Sequence, residues 1–234
     1  MRVWVTRSLP GADRLAAALR AAGHEPVVAP VLEIEPLTVR VPPGPYAATV
    51  FVSEHAVVCG AAALAEQSDE VLAVGRSTAA ALRRRGVEVR VPDREDSEGL
   101  LTLLPAARVR GRTVLLVVGA DGRDLLAAGL TERGARVRRL VCYRRQALAD
   151  LTPELRRQLA GIEVIVAASG DGLRQIGRLW ADAGGDPSVP VLVPSQRVLA
   201  LGVELGLRNL HDCGGAGTDA VLGGLAALQQ MGSR

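Results

Sequence analysis

The chain has no lysine: all 28 of its basic residues are arginine. Without a lysine amine it has no Schiff-base chemistry and no Walker-type phosphate loop, whose lysine reaches the terminal phosphates. Aromatic residues are nearly as scarce, at 2% of 234 residues. The core must therefore be Val, Leu and Ala, and packing is not expected to take up all of the two Trp, two Tyr and one Phe. Cys59, Cys142 and Cys213 lie far apart with no Cys-x-x-Cys pair, which argues against a zinc knuckle and fits a reducing compartment. His24, His55 and His211 are equally scattered, so no metal site is expected. No apolar run approaches the ~18 residues of a membrane span. Arg2–Val5 reads as a strand rather than part of a signal peptide. No membrane partner and a cytoplasmic location are expected.

What remains is an ordinary globular composition, 48% hydrophobic and 23% charged, with a formal charge of +3. The basic runs Arg83-Arg84-Arg85 and Arg138-Arg139 are short and carry no interleaved aromatics, so nucleic acid is not an expected partner. The first run falls at the end of a predicted helix, where cations meet the negative dipole end. An all-arginine surface suits another ligand class, because the guanidinium fork grips carboxylates in pairs of hydrogen bonds.

Six times a short Val/Leu/Ala run ends in a Ser, Thr or Gly turn and becomes a helix. The turns are Thr6-Arg7-Ser8, Ser53-Glu54-His55, Gly75-Arg76-Ser77-Thr78, Gly119-Ala120-Asp121-Gly122, Ser169-Gly170-Asp171-Gly172 and Gly214-Gly215-Ala216-Gly217-Thr218. Pro194-Ser195-Gln196-Arg197 is a less marked seventh. Alternating strands and helices predict an α/β protein with parallel sheets, whose ligands sit at the carboxyl ends of the strands. Each turn there offers free N–H groups and hydroxyls at a positive helix terminus, so the pattern points to anion binding.

Strands are predicted at Val27–Ile34, Ala48–Val52, Val87–Val91 and Val137–Tyr143, among others, and helices from Ser53 to near Ala65 and at Arg123–Arg133. Pro36 to Pro45, with four prolines and a glycine, reads as a connector. Residues 1–36 hold one βαβ fragment, too little to fold alone. The economical arrangement is two flavodoxin-like domains: a discontinuous one, 1–36 with 147–234, and an inserted one, 39–142. Linkers near 37–40 and 142–147 would then form a hinge, with the turns facing an interdomain cleft.

Few groups suit aggressive chemistry. Tyr143, at the predicted end of a strand beside a domain crossing, is placed either to give a proton to a leaving group or to pack between domains. Ser53 and His55 do not make a nucleophile–base pair: no Gly-x-Ser-x-Gly elbow surrounds Ser53, which reads as a helix cap or ligand hydroxyl. His55 reads as a solvated first-turn residue, and Glu33 with Glu35 as a solvated strand edge. The Gly119 and Gly214–Gly217 turns lack the Gly-x-Gly-x-x-Gly fingerprint of dinucleotide sites.

From end to end the chain resembles the uroporphyrinogen-III synthase family. The resemblance is carried by Val5-Thr6-Arg7, Phe51-Val52-Ser53 with Ala56-Val57, and Ala73-Val74-Gly75 with Thr78-Ala79. Ser97-Glu98-Gly99-Leu100-Leu101, Gly122-Arg123 with Leu125-Leu126, and Val141 with Tyr143-Arg144 follow in order. It implies a cofactor-free enzyme of two α/β domains joined by a two-stranded linker. The implied substrate is hydroxymethylbilane, a linear tetrapyrrole with eight carboxylates. Loss of its terminal hydroxyl gives an azafulvene, and closure through a spiro intermediate inverts the last ring.

By the same resemblance Tyr143 assists departure of the hydroxyl. Thr6, Arg7, Ser53, Thr78, Gly119, Ser169 and Thr218 would hold the substrate, Arg7 on the grounds of charge and position. Val118 stands where many relatives carry an arginine, and Glu54 and Asp171 place acids at turns meant for anions. The two acids motivate an alternative, a non-catalytic relative that binds a tetrapyrrole or other anion as a regulatory or scaffold module. A nucleotide-dependent transferase is a third reading. A monomer is expected, in transient contact with the upstream enzyme that supplies the bilane.

Overall fold

A computed structural model describes residues 1–122 and 124–232. In chain order the strands are β1 (Arg2–Val5), β2 (Glu25–Val28), β3 (Leu32–Pro36), β4 (Ala48–Phe51), β5 (Val71–Ala73), β6 (Thr113–Gly119), β7 (Arg136–Ala147), β8 (Val164–Val166), β9 (Val191–Val193) and β10 (Leu210–Asp212). The helices are α1 (Gly11–Ala21), α2 (Glu54–Cys59), α3 (Arg76–Arg83), α4 (Ser97–Leu103), α5 (Ala106–Val109), α6 (Leu125–Glu132), α7 (Pro153–Gln158), α8 (Gly170–Asp182), α9 (Gln196–Glu204) and α10 (Thr218–Gly232). They divide into two compact units, Met1–Glu33 with Gln146–Arg234, and Ile34–Arg145.

In the first unit the sheet order is β10-β9-β8-β1-β2, with parallel pairs throughout. Its central strands are short apolar runs such as Val164–Val166 and Val191–Val193, buried residue by residue, as a sheet covered on both faces requires. Alternate residues feed two cores: Trp4 and Ile165 pack on one face, Val3, Val5 and Leu192 on the other. The strand order reverses at β1, between β2 and β8. In the second unit the order is β3-β7-β6-β4-β5, with β4 to β7 parallel. Here the reversal lies at β4, between β5 and β6. Such switch points are where parallel sheets open toward a ligand. Thr6 and Ser169 follow the strands at one of them; at the other, Ser53 follows β4 and Gly119 ends β6.

Several local expectations change. The predicted strand Val27–Ile34 is two strands, β2 and β3, belonging to different sheets. Pro30, which has no N–H to give, separates Ala29 and Val31, whose N–H groups still reach Val5 and Thr6 carbonyls at 3.1 Å. Val87–Val91 forms no strand; only Arg90 makes a bridge, to Leu72. The helix expected to run to Ala65 stops at Cys59, and a 3-10 turn, Ala61–Ala65, replaces its second half. At the break Gly60 lies against the sheet, where a Cβ would stand 2.3 Å from Val117 Cγ1. Arg123, the expected start of α6, lies outside the described residues, and α6 begins at Leu125. Packing also claims more of the aromatic rings than expected. Trp4, Tyr46 and Phe51 are fully buried, Tyr143 is 3% exposed, and Trp180 packs 5.8 Å from Trp4. A core otherwise made of small side chains needs that volume.

The chain passes between units within β3 and β7, which are sheet neighbours. Tyr143 is therefore not a strand end: β7 continues four residues beyond it, to Ala147. Leu37 N–H donates to the Cys142 carbonyl at 2.9 Å, and Leu148 N–H to that of Val31 at 3.0 Å. Between them the Arg144 guanidinium grips Glu35 at 2.7 and 2.8 Å and holds its carboxyl below the usual range. Glu35 is thus an ion-pair partner, not merely a solvated edge.

The Thr49 hydroxyl in β4 is buried without a hydrogen-bond partner. Thr49→Val keeps the shape and removes the orphaned group, so it is expected to stabilise the protein by about 1 kcal/mol. An upward shift of the urea midpoint at unchanged slope is the measurement.

Candidate active site

In the second unit the site begins with an irregularity of the backbone. Residues of β6 and β7 pair one for one from Thr113 with Arg136 to Val118 with Val141, and then Gly119 pairs with Tyr143. Cys142 is the extra residue of a β-bulge, a device that re-aims side chains. Its consequence is visible in the packing. Cys142 and Tyr143, although consecutive, both enter the core that contains Phe51 and Val117, whereas Val137 and Val141 pack on the opposite face. In a regular strand Tyr143 would share the face of Val141. The Cys142 thiol is pushed up to about 11 by burial, with Cys59 adding to the shift. It stays protonated near neutral pH and is no nucleophile.

Tyr143 then needs room, and Gly119 supplies it. A Cβ on Gly119 would stand 2.6 Å from Tyr143 Cζ and 2.9 Å from its hydroxyl. The Tyr143 carbonyl accepts from Ala120 N–H at 2.8 Å, which ties the ring to the turn after β6. Ser53, from the neighbouring β4 turn, brings its Oγ to 3.0 Å from the phenolic oxygen. Ser53 is in extended backbone and caps α2 by accepting from Ala56 N–H at 3.0 Å. The ring of His55 lies 5.6 Å from that of Tyr143, tilted by 56°. His55 is thus a wall of the tyrosine's pocket rather than only a solvated first-turn residue. Its position two residues after Ser53 was the one available signal.

The first turn of α3 already holds a carboxylate. Glu95 accepts from Arg76 N–H at 2.9 Å and pairs with the Arg76 side chain at 3.2 Å. Its oxygen sits 2.3 Å from where a Gly75 Cβ would be. Gly75 has extended backbone that any residue adopts, so space, not conformation, is what the glycine provides. Sequence reasoning missed Glu95, which follows Arg76 by 19 residues in no recognisable pattern. Thr78 is on this turn, 2% exposed. Val118 lies in the core, 5% exposed, where an apolar side chain belongs.

In the first unit the predicted residues gather at the carboxyl ends of β1, β8 and β10. The Thr6 hydroxyl, 2% exposed, donates to the Val166 carbonyl at 2.7 Å. Arg7 lies over Gly11, where a Cβ would stand 2.7 Å from its Nε, and donates to the Ala216 carbonyl at 3.1 Å. That brings the β1 turn to the turn preceding Thr218, the first residue of α10. Ser169 caps α8, accepting from Gly172 N–H at 3.1 Å. Glu54 and Asp171 each occupy a first helical turn, where a negative charge meets the positive dipole end. Their presence has a local cause. Among the described residues no cluster of three or more His, Cys, Asp or Glu is arranged to hold a metal ion. Among them, too, no helix is long and apolar enough to cross a membrane.

The family model described as "Uroporphyrinogen-III synthase HemD" matches residues 13–209. The chain belongs to the uroporphyrinogen-III synthase family. It is 31% identical over 242 residues to the uroporphyrinogen-III synthase of Salmonella typhimurium, covering 95% of this chain and 98% of the relative. The corresponding protein of Escherichia coli strain K12 is equally similar, with the same coverage. The fold matches a uroporphyrinogen-III synthetase from Helicobacter pylori 26695, with a TM-score of 0.65 over 97% of this chain and 98% of that one, at 16% identity. It also matches a mutant uroporphyrinogen III synthase from Thermus thermophilus, with a TM-score of 0.54 at 20% identity over 98% and 99% of the two chains. Ser53, Thr78, Gly119, Tyr143 and Ser169 fall inside the matched span of the uroporphyrinogen-III synthase family, and Thr6, Arg7 and Thr218 outside it.

Gly119→Ala is expected to expel the Tyr143 ring from its seat without unfolding the chain. Nitration by tetranitromethane, located by mass spectrometry, should then modify Tyr143 readily in the variant and barely in the parent. Tyr46, fully buried in both, is the internal control.

Proposed function

We propose that the chain is a uroporphyrinogen-III synthase that cyclises hydroxymethylbilane with inversion of the last ring, a hydro-lyase step of haem biosynthesis. The observation that carries this reading is the seated phenol of Tyr143 at the switch point of a chain with full-length likeness to synthases. In this reading Tyr143 gives its proton to the terminal hydroxyl, the carbon–oxygen bond breaks and water leaves. The azafulvene that remains is attacked by the substituted carbon of the last ring. The resulting spiro intermediate opens and recloses with that ring turned over. Because the unassisted reaction closes without inversion, the enzyme's task is chiefly to hold geometry and charge.

Eight carboxylates must be held meanwhile. Arg7, Thr78, Ser169 and Thr218 take these arms, with backbone N–H groups of their turns. Thr6, tied to Val166, fixes the base of the Arg7 turn, and Gly119 admits the tyrosine ring. Glu95 on the first turn of α3 supports the chemistry from within the chain, since it is a carboxylate bound by such a turn. The protein works in the cytoplasm as a monomer and receives its unstable substrate from the upstream enzyme. Identity of 31% over nearly the whole length of synthases favours this reading over a non-catalytic binding module.

Supplied with hydroxymethylbilane made in situ, the protein should yield predominantly the type III porphyrin after oxidation. Type I alone, from folded protein, removes the reading. Tyr143→Phe is expected to lower kcat by about 10²–10³-fold with KM little changed; an unchanged rate takes Tyr143 out of the mechanism. Arg7→Gln should instead raise KM by about 10–100-fold, as expected for loss of a charge-assisted bond, and leave kcat nearly intact.

A further inference from the structure

Ser53 and Ser169 cap their helices in the same way. Both are in extended backbone, and each Oγ accepts from the N–H three residues on. They differ in what else is present. Ser169 makes no second side-chain hydrogen bond among the described residues, whereas Ser53 Oγ lies 3.0 Å from the hydroxyl of Tyr143. A serine hydroxyl has one proton to give and two lone pairs to accept with. One lone pair of Ser53 is used by Ala56 N–H. The Ser53–Tyr143 bond must carry the proton of one partner or the other.

We propose that Ser53 is a positioning residue that acts through Tyr143: it donates its hydroxyl proton to the phenolic oxygen and stabilises the phenolate left when Tyr143 protonates the departing hydroxyl. This rests on the reading of Tyr143 as the acid. If the phenol's only proton is destined for the leaving oxygen, the bond to Ser53 carries the serine's proton. That proton is then unavailable to a substrate carboxylate, so Ser53 is not a ligand of the acetate or propionate arms. Ser169, with its proton uncommitted, keeps that role. The step balances: the tyrosine proton leaves in water with the hydroxyl oxygen, and the carbon–oxygen electron pair stays with that oxygen. The phenolate is reprotonated by the C–H proton that the last ring releases when, after reclosing through its unsubstituted carbon, it regains its aromaticity. Ser53 keeps its own proton throughout. Its cap bond to Ala56 holds the oxygen, and Gly119, His55 and the bulge at Cys142 hold the ring. The donor is therefore aligned before charge develops, which is where such donors are most effective. At 3% exposure for Tyr143, water competes little for the new charge.

The test is a kinetic cycle on the full-length protein with Ser53→Ala, Tyr143→Phe and the double variant, read as kcat and KM for type III product. Ser53→Ala is expected to lower kcat by about 100-fold, the lower end of the scale of one preorganised donor, with KM within about twofold. Ser53→Thr, which keeps the donor, should restore kcat to within about threefold. In the Tyr143→Phe background Ser53→Ala should have no further effect on kcat. Ser169→Ala should raise KM instead. If Ser53→Ala does not fold by circular dichroism, Ser53→Asp replaces it, because it keeps the cap acceptor, lacks the donor and should lose kcat likewise. A raised KM at unchanged kcat in Ser53→Ala, or multiplying losses in the double variant, overturns the proposal and leaves the synthase reading standing. Absence of type III product from the parent protein overturns both.

Discussion

One extra residue in β7 governs the chemistry that the second unit can perform. Parallel strands in register send successive side chains to opposite faces, and Tyr143 would by that rule join Val141 on the face away from Ser53. The bulge at Cys142 cancels the alternation for one step. The phenol then arrives on the face where α2 begins, against a glycine that leaves it room. Cys142 itself is buried, its thiol bonded toward the Val118 and Ala56 carbonyls at 3.5 and 3.8 Å and held protonated. A small, inert and buried residue suits that position, because the bulge has to be filled without adding chemistry of its own.

A second constraint is shared by both units, each taken by itself. Short parallel strands leave their carboxyl-end turns unpaired, and a helix starts from each turn with free N–H groups. The chain uses these starts in three ways. Some are closed by a side chain, as at Ser53, Thr152 and Ser169. One is closed by a distant carboxylate, Glu95 on Arg76. The starts capped by Ser53 and Ser169 also carry acids in their first turn, Glu54 and Asp171, that meet the dipole. Those two acids weighed against an anionic ligand when read as isolated charges. As helix-start residues they meet a local electrostatic need and do not bear on what the other turns hold.

What was legible in the sequence was what neighbouring residues decide. Thr152-Pro153 reads as a cap followed by a first-position proline, and the structure has it so, with Leu155 N–H donating to Thr152 at 3.2 Å. The strand–turn–helix rhythm and the placement of Ser53 and Ser169 after strands follow from the same local logic, whereas Gly119, read as the first turn residue, is the last residue of β6. Features set by distant partners were not legible. Val27–Ile34 is largely apolar and is broken at Pro30, but that its two halves join different sheets is set by distant strands. Val87–Val91 has strand composition, but only Arg90 finds a partner in β5. The bulge leaves no mark in Val141-Cys142-Tyr143. His55 reads as a solvated first-turn residue in the sequence, and its ring partner comes from β7.

The two serine caps carry this distinction to its functional end. Sequence assigns Ser53 and Ser169 the same role, and local structure agrees to within a few degrees of backbone angle, φ −165° and ψ 163° against φ −162° and ψ 167°. Their chemistry diverges only through what the other strands bring near. At Ser53 that is a phenol, delivered by a bulge from 90 residues away. At Ser169 the described residues bring no second side-chain bond. A hydroxyl with one proton can serve a tyrosine or a carboxylate, but not both at once. In the proposed mechanism the same local motif assists proton transfer in one unit and stays open for ligand binding in the other.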